Sequence, residues 1–258
     1  MFRRELALFL FQCLLAVIAA EQWKGKWFPQ NPEEVPPTSA QHNIQMGISQ
    51  DNCDNAKDNL KTDFDPDDVR DSMNYICLDI RTQFKPNYTV QPILREYLVP
   101  RSYVPLHKCM NETIEYEERL PTFGTHRPLW AQFGEYNYLP IQRWLHNIEH
   151  GSIIMLYHPC ADPNQVEKLK LIVQNCLYRH VITPSKRLLP ERPLALVAWG
   201  RSIELSVVDK GIIVDFIRTR ALKGPEKTSR NGQYDKLLIK AAKFVSNEDD
   251  TILCPNDP

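Results

Sequence analysis

Six cysteines follow an N-terminal apolar segment, and this arrangement constrains the fold more than any other feature of the chain. The first twenty residues read MFRRELALFLFQCLLAVIAA. Arg3 and Arg4 form a short positive region, Leu6 to Ile18 an apolar run, and Ala19-Ala20 a small-residue cleavage site. That is the layout of a secretory signal peptide, and the run is short for a membrane span of about 20 apolar residues. Cleavage would remove Cys13 and leave Cys53, Cys77, Cys109, Cys160, Cys176 and Cys254. An even set in an oxidising compartment predicts three disulfides, with connectivity open among about 15 pairings. One pairing is disfavoured on length. Cys160 and Cys176 flank a predicted helix, whose ends lie about 20 Å apart at about 1.5 Å per residue. Disulfide Cα atoms are normally under about 7 Å apart. No C-x-x-C pair occurs, which argues against a thioredoxin-type motif and a zinc ribbon. The sequons at Asn87 and Asn111 fit a secreted glycoprotein surface.

Composition sets wide limits. The chain has 258 residues, 43% hydrophobic and 24% charged, which is ordinary globular usage. The formal net charge is -1; loss of Arg3, Arg4 and Glu5 takes a net +1 with it and leaves -2. No nucleic-acid partner is expected from such a balance. Proline is abundant at 20 and glycine scarce at 9, so rigid loops are expected and glycine-rich phosphate cradles are not. No later stretch approaches membrane length, so no transmembrane segment is expected after cleavage.

Five segments follow along the chain: a signal at 1–20, a Pro- and Asp-rich arm and acidic loop at 21–74, a disulfide-linked strand and loop region at 75–120, a core at 121–246, and a tail at 247–258. The eight aspartates of 51–74 place Asp63, Asp65, Asp67 and Asp71 at calcium-loop positions, but Asp68 and Asn74 stand where a glycine and a glutamate belong. A solvated acidic loop with helix-capping aspartates is the expectation. Region 75–120 should be tied by Cys77 and Cys109. In the core, Ile141–His150 reads as a helix stopped by Gly151, and SIIMLY (152–157) as a buried strand. Asp162-Pro163 opens a second helix carrying Val166, Leu169, Val173 and Cys176 on one face. Strands are expected at 180–183, 193–199 and 202–208, and helices at 209–220 and at Tyr234–Val245. The fold class is α+β: a compact mixed α/β core with a short sheet, disulfide-bonded, with an extended N-terminal arm.

One constellation has chemical content. His126, His146, Glu149, His150 and His158 crowd the stretch from Leu120 to Cys160. His146 and His150 share a helix face that projects away from the apolar stripe of Ile141, Trp144, Leu145 and Ile148. They meet solvent or line a polar site. Four readings stay open. The histidines can be structural or hydrogen-bonding. They can bind a metal, zinc or copper, with His126 as third ligand and His158 as a fourth. Met155 offers a thioether but has the wrong strand parity relative to His158, which disfavours a soft copper site. His146-x-x-Glu149-His150 matches the pattern of a zinc hydrolase in which Glu149 would be the base. Finally, Trp130, Phe133, Tyr136 and Tyr138 can serve as the contact surface of an extracellular interaction module, or simply pack. No G-x-S-x-G, G-x-x-x-x-G-K or G-x-G-x-x-G motif is present.

The run PTFGTHRPLWAQFGEYNYLPIQRWLHNIEHGSIIMLYHPC, with ITP (182–184), LALVAWGR (194–201) and KGPE (223–226), resembles the domain-of-unknown-function 3105 family. Within that family it resembles the animal branch, the tumour protein p53-inducible protein 13-like proteins. The resemblance runs from about Pro121 to Glu226. It implies no settled activity. The vertebrate branch implies a membrane-associated growth suppressor, a role that a chain without a second apolar span would fill differently. The bacterial members carry Ser-Gly-Pro-His where this chain has Phe123-Gly124-Thr125-His126, so the histidine keeps its place. The expected location is secreted, extracellular or the secretory-pathway lumen.

Overall fold

In the computed structural model the described residues are 44, 46–78 and 83–257. All belong to one unit, Ser39–Pro258. The signal segment and residues 21–43 of the expected arm lie outside the described residues.

Seven strands form one sheet: β1 (Ile93–Glu96), β2 (Gly134–Tyr136), β3 (Ile153–Tyr157), β4 (His180–Pro184), β5 (Leu194–Ala198), β6 (Arg201–Leu205) and β7 (Leu238–Ala241). Their order is β1-β6-β5-β3-β4-β2-β7. β4 is parallel to both β3 and β2, and the other pairs are antiparallel. The four described α-helices are α1 (Val69–Ser72), α2 (Ile141–Glu149), α3 (Pro163–Cys176) and α4 (Lys210–Arg220). α3 supplies the crossover that the parallel β3–β4 pair requires.

The continuous apolar reading of β3 and β5 has a simple cause: both faces of the sheet are covered. Ile153 and Met155 of β3, with Leu194, Leu196 and Ala198 of β5, pack against Leu169 and Val173 of α3 and Ile213 and Ile217 of α4. Ile154 and Leu156, with Ala195 and Val197, pack against Trp144, Leu145 and Ile148 of α2. Period-two alternation thus sends successive residues into two separate cores. The fold is mixed α/β as expected, with a wider sheet than the short one anticipated.

Helix ends follow their signals. Asp162 Oδ1 accepts from Gln165 N–H at 3.0 Å and Asp209 Oδ1 from Ile212 N–H at 3.1 Å, capping α3 and α4. Gly151 takes φ +83°, its N–H donates to Ile148 O, and Ser152 N–H donates to Asn147 O. This pair of bonds is the Schellman ending that a glycine after a helix permits. Asp68 caps α1 through Arg70 N–H.

Four expectations need correction. Tyr234–Val245 is not a helix: Leu237 adopts φ +62° and Leu238–Ala241 adds to the edge strand β2. Edge pairing overrode an amphipathic pattern. The acidic stretch is not simply solvated: Asp54 is 2% exposed and pairs with Arg143, and Asp63 pairs with Arg127. Cys77 and Cys109 do not tie their region to itself. The disulfides are Cys53–Cys109, Cys77–Cys160 and Cys176–Cys254, so Cys160 and Cys176 each pair elsewhere. Trp130, Phe133 and Tyr136 are buried, which rules out that set as an exposed contact surface. The asparagines of both sequons, Asn87 and Asn111, are exposed. The C-terminal residues are docked: Asp250 accepts from Tyr178 and Arg179 N–H, and Cys254 N–H donates to Cys176 O. Among the described residues no helix is long and apolar enough to cross a membrane.

Candidate metal centre

α2 presents its apolar side to the sheet and Arg143, His146, Asn147 and His150 to the loops that cover it. Each of these buried polar groups has a partner in those loops. Arg143 makes a two-point pair with Asp54, at 2.5 and 3.0 Å, and donates to Leu129 O. Asn147 exchanges two hydrogen bonds with the Ala131 backbone. His146 Nδ1 donates to Arg127 O at 2.6 Å. His150 Nε2 bonds Glu226 at 3.0 Å.

The loop contributes two more imidazoles. His126 N–H donates to Leu106 O and Lys108 N–H to His126 O, which lays His107 beside His126 in a parallel bridge. Arg127 fixes this register from below. Its guanidinium pairs with Asp63 and donates to the carbonyls of Lys108, Cys109 and Glu112. Gly124 O accepts from His126 Nδ1 at 2.8 Å.

His107, His126, His146 and Glu149 therefore converge, with one ligand atom of each within 4.8 Å of the others. A carbonyl can only accept, so Nδ1 carries the proton in both His126 and His146, and each Nε2 presents a lone pair. Those two Nε2 atoms, His107 Nε2 and Glu149 Oε2 are all buried without a hydrogen-bond partner. Four orphaned donors aimed at one point would be costly in a dry site and suit a cation. The carbonyl behind each ring is the outer support that metal-bound imidazoles receive. A tetrahedral ion at about 2.0–2.1 Å from each atom would set neighbouring donors about 3.3 Å apart. Glu149 Oε2 lies 2.9 Å from His126 Nε2 and 3.6 Å from His107 Nε2, on either side of that value.

Electrostatics point the same way. Burial, and then the charges of neighbouring histidines, holds His146 well below the usual imidazole range. Burial lowers His107 too, against the pull of Glu149. Neutral imidazoles and an ionised carboxylate are the ligating forms.

The structure thus brings together His126, His146 and Glu149 of the sequence-based candidates. His150 sits beside them, its ring 4.7 Å from that of His146 and edge-on to Trp130, but its Nε2 faces Glu226. His158 is placed elsewhere, against Phe84, with Nδ1 accepting from Cys160 N–H. Met155 lies in the core on the opposite face of the sheet. His107 was not singled out from the sequence. It stands in an irregular Pro-rich loop, and its neighbour Cys109 was the one local sign of a fixed position. The role of KGPE was also missed. Gly224 packs so closely on Glu149 O that a Cβ there would lie 2.0 Å from it, and Glu226 N–H donates to the same carbonyl. This segment locks the end of α2.

No solved structure matches the chain. A likeness exists to mouse (Mus musculus) tumour protein p53-inducible protein 13, 28% identical over 77 residues, covering 30% of this chain and 20% of the relative. The chain therefore spans about a fifth of that relative's length. Over residues 107–233, a segment that begins at the first histidine of the cluster and ends past the segment locking α2, the protein matches the family model described as "Protein of unknown function (DUF3105)".

Proposed function

We propose that this is an extracellular or secretory-lumen protein whose His107, His126, His146 and Glu149 hold one divalent transition-metal ion as a structural centre. The observation that carries the reading is the convergence of four buried, unpartnered ligand atoms from three segments of the chain. Three imidazoles and a carboxylate suit zinc, copper(II), nickel or iron rather than calcium or magnesium. The absence of sulfur from the set favours zinc over copper(I). Four protein donors complete a tetrahedral zinc and leave it no open position, which is the structural type. The hydrolase reading is less well supported. It needs Glu149 free as a base and His150 as a ligand, whereas Glu149 lies in the donor set and His150 pairs with Glu226.

Three disulfides support the oxidising location. The growth-suppressive role implied by family resemblance would be exercised from that side of the membrane, through a folded and metal-stabilised domain.

Calorimetric titration of chelator-stripped, untagged protein tests the reading. One zinc should bind, His146→Ala should lose it, and His180→Ala should keep it. Equal binding by wild type and His146→Ala would refute the site.

A further inference from the structure

We propose that the Cys53–Cys109 disulfide gates the metal centre, so that a dithiol reductant reaching it releases the ion. This inference rests on the metal reading above. Residues 97–133, which supply His107 and His126, form no helix or strand; isolated bridges and side-chain bonds hold them. His107 is two residues from Cys109, and Met110 N–H donates to Cys53 O, so the disulfide and the ligand share one short piece of chain. On the other side of the bond, Asp54 follows Cys53 and pairs with Arg143 of α2, one turn from His146. The disulfide is the covalent member of this strap, closing a separation of 56 residues between the acidic loop and the His107 loop. Opening it leaves both ends to hydrogen bonds and the Asp54–Arg143 pair alone.

Exposure favours the same bond. Cys53 and Cys109 are both half-buried; in Cys77–Cys160 only Cys77 is, Cys160 being 8% exposed, and Cys176 and Cys254 are fully buried. A reductant in solution reaches Cys53–Cys109 from either sulfur and Cys77–Cys160 from the Cys77 side alone. In the step, the S–S bond accepts two electrons and two protons from the dithiol. Two thiols form, and the dithiol leaves as its own disulfide. His107 then loses its covalent tether and is held by hydrogen bonds alone, so the less firmly fixed site binds the ion less tightly.

The test uses zinc-loaded wild-type protein under limited phosphine reduction. Thiols are trapped by alkylation and mapped by mass, while a chromogenic pyridylazo chelator reads released zinc. Zinc release should track alkylation of Cys53 and Cys109 while Cys176–Cys254 stays intact. The Cys53→Ser/Cys109→Ser protein should bind zinc about ten- to a hundredfold more weakly, the scale seen when support of a ligand is removed. Full alkylation of Cys53 and Cys109 with zinc retained would overturn the gate and leave the metal site standing. Oxidised wild-type protein that takes up no zinc would overturn the metal reading itself, and the gate with it.

Discussion

His126 Nε2 and Glu149 Oε2 face each other at 2.9 Å, and neither atom is in a hydrogen bond. His126 has already committed its Nδ1 proton to Gly124 O. A neutral ring in that tautomer turns a lone pair toward a carboxylate, which is repulsive unless a positive charge lies between them. His107 and His146 turn further ring nitrogens to the same place. One metal ion resolves all four contacts at once.

Metal removal should therefore cost stability. At a free zinc concentration a hundredfold above Kd, binding contributes about 2.7 kcal/mol. For a domain of this size that is a melting shift of about 5–10 °C. Differential scanning calorimetry with and without chelator should show it, and His126→Ala should melt at the chelated temperature in both conditions. A chelator-independent melt in wild type would count against the centre.

Arg143 and Asp54 form a buried pair whose charges are 1% exposed. Removing one partner strands the other in a dry site, at about 3–5 kcal/mol. Asp54→Ala should show that loss in urea unfolding. Arg143→Met with Asp54→Leu should recover much of it, because an apolar pair has no charge to desolvate. A double variant as unstable as Asp54→Ala would show that geometry rather than charge carries the contact.

Gly224→Ala places a methyl 2.0 Å from Glu149 O. The α2 ending or the 223–226 segment must move, an overpacking cost of about 1–3 kcal/mol. Since Glu149 belongs to the donor set, zinc affinity should fall along with the melting temperature. Unchanged affinity would detach this segment from the site.

His180 gives a pH dependence away from the metal. Burial lowers its pKa from 6.5 to about 4, opposed by the hydrogen bond to Leu177 O. Unfolding restores the ordinary value, so between about pH 6.5 and 4 the unfolded chain binds the extra proton. Stability is fully present above about 6.5 and falls by about 3 kcal/mol as pH drops through 4. Urea unfolding at pH 7 and pH 4.5 should show His180→Asn losing less stability on acidification than wild type. Parallel losses would place the acid sensitivity elsewhere.

The sequence carried the elements whose signals are local. Gly151 ends α2, Asp162-Pro163 opens α3, and the run at 153–157 is a strand because both its faces are covered. It carried three of the four residues of the site, because His146 and Glu149 sit one turn apart on a helix and His126 sits in a recognisable turn. It did not carry His107, which reaches His126 only through a bridge between irregular segments. Asp54 and Asp63 looked solvated because their arginines lie 89 and 64 residues away. At 234–245 the amphipathic period was real, but β2 offered an unpaired edge, and Leu238–Ala241 took it. In each case the deciding contact was distant in the chain.

X-ray absorption at the zinc edge on untagged protein from a secretory host, with the metal content measured on the same sample, tests the central claim most directly. The account predicts about one zinc per chain in a four-coordinate shell of nitrogen and oxygen at about 2.0–2.1 Å, with imidazole scattering from three rings and no sulfur. Protein that holds no metal after equilibration with zinc, or a shell containing sulfur or fewer than three imidazoles, would contradict it.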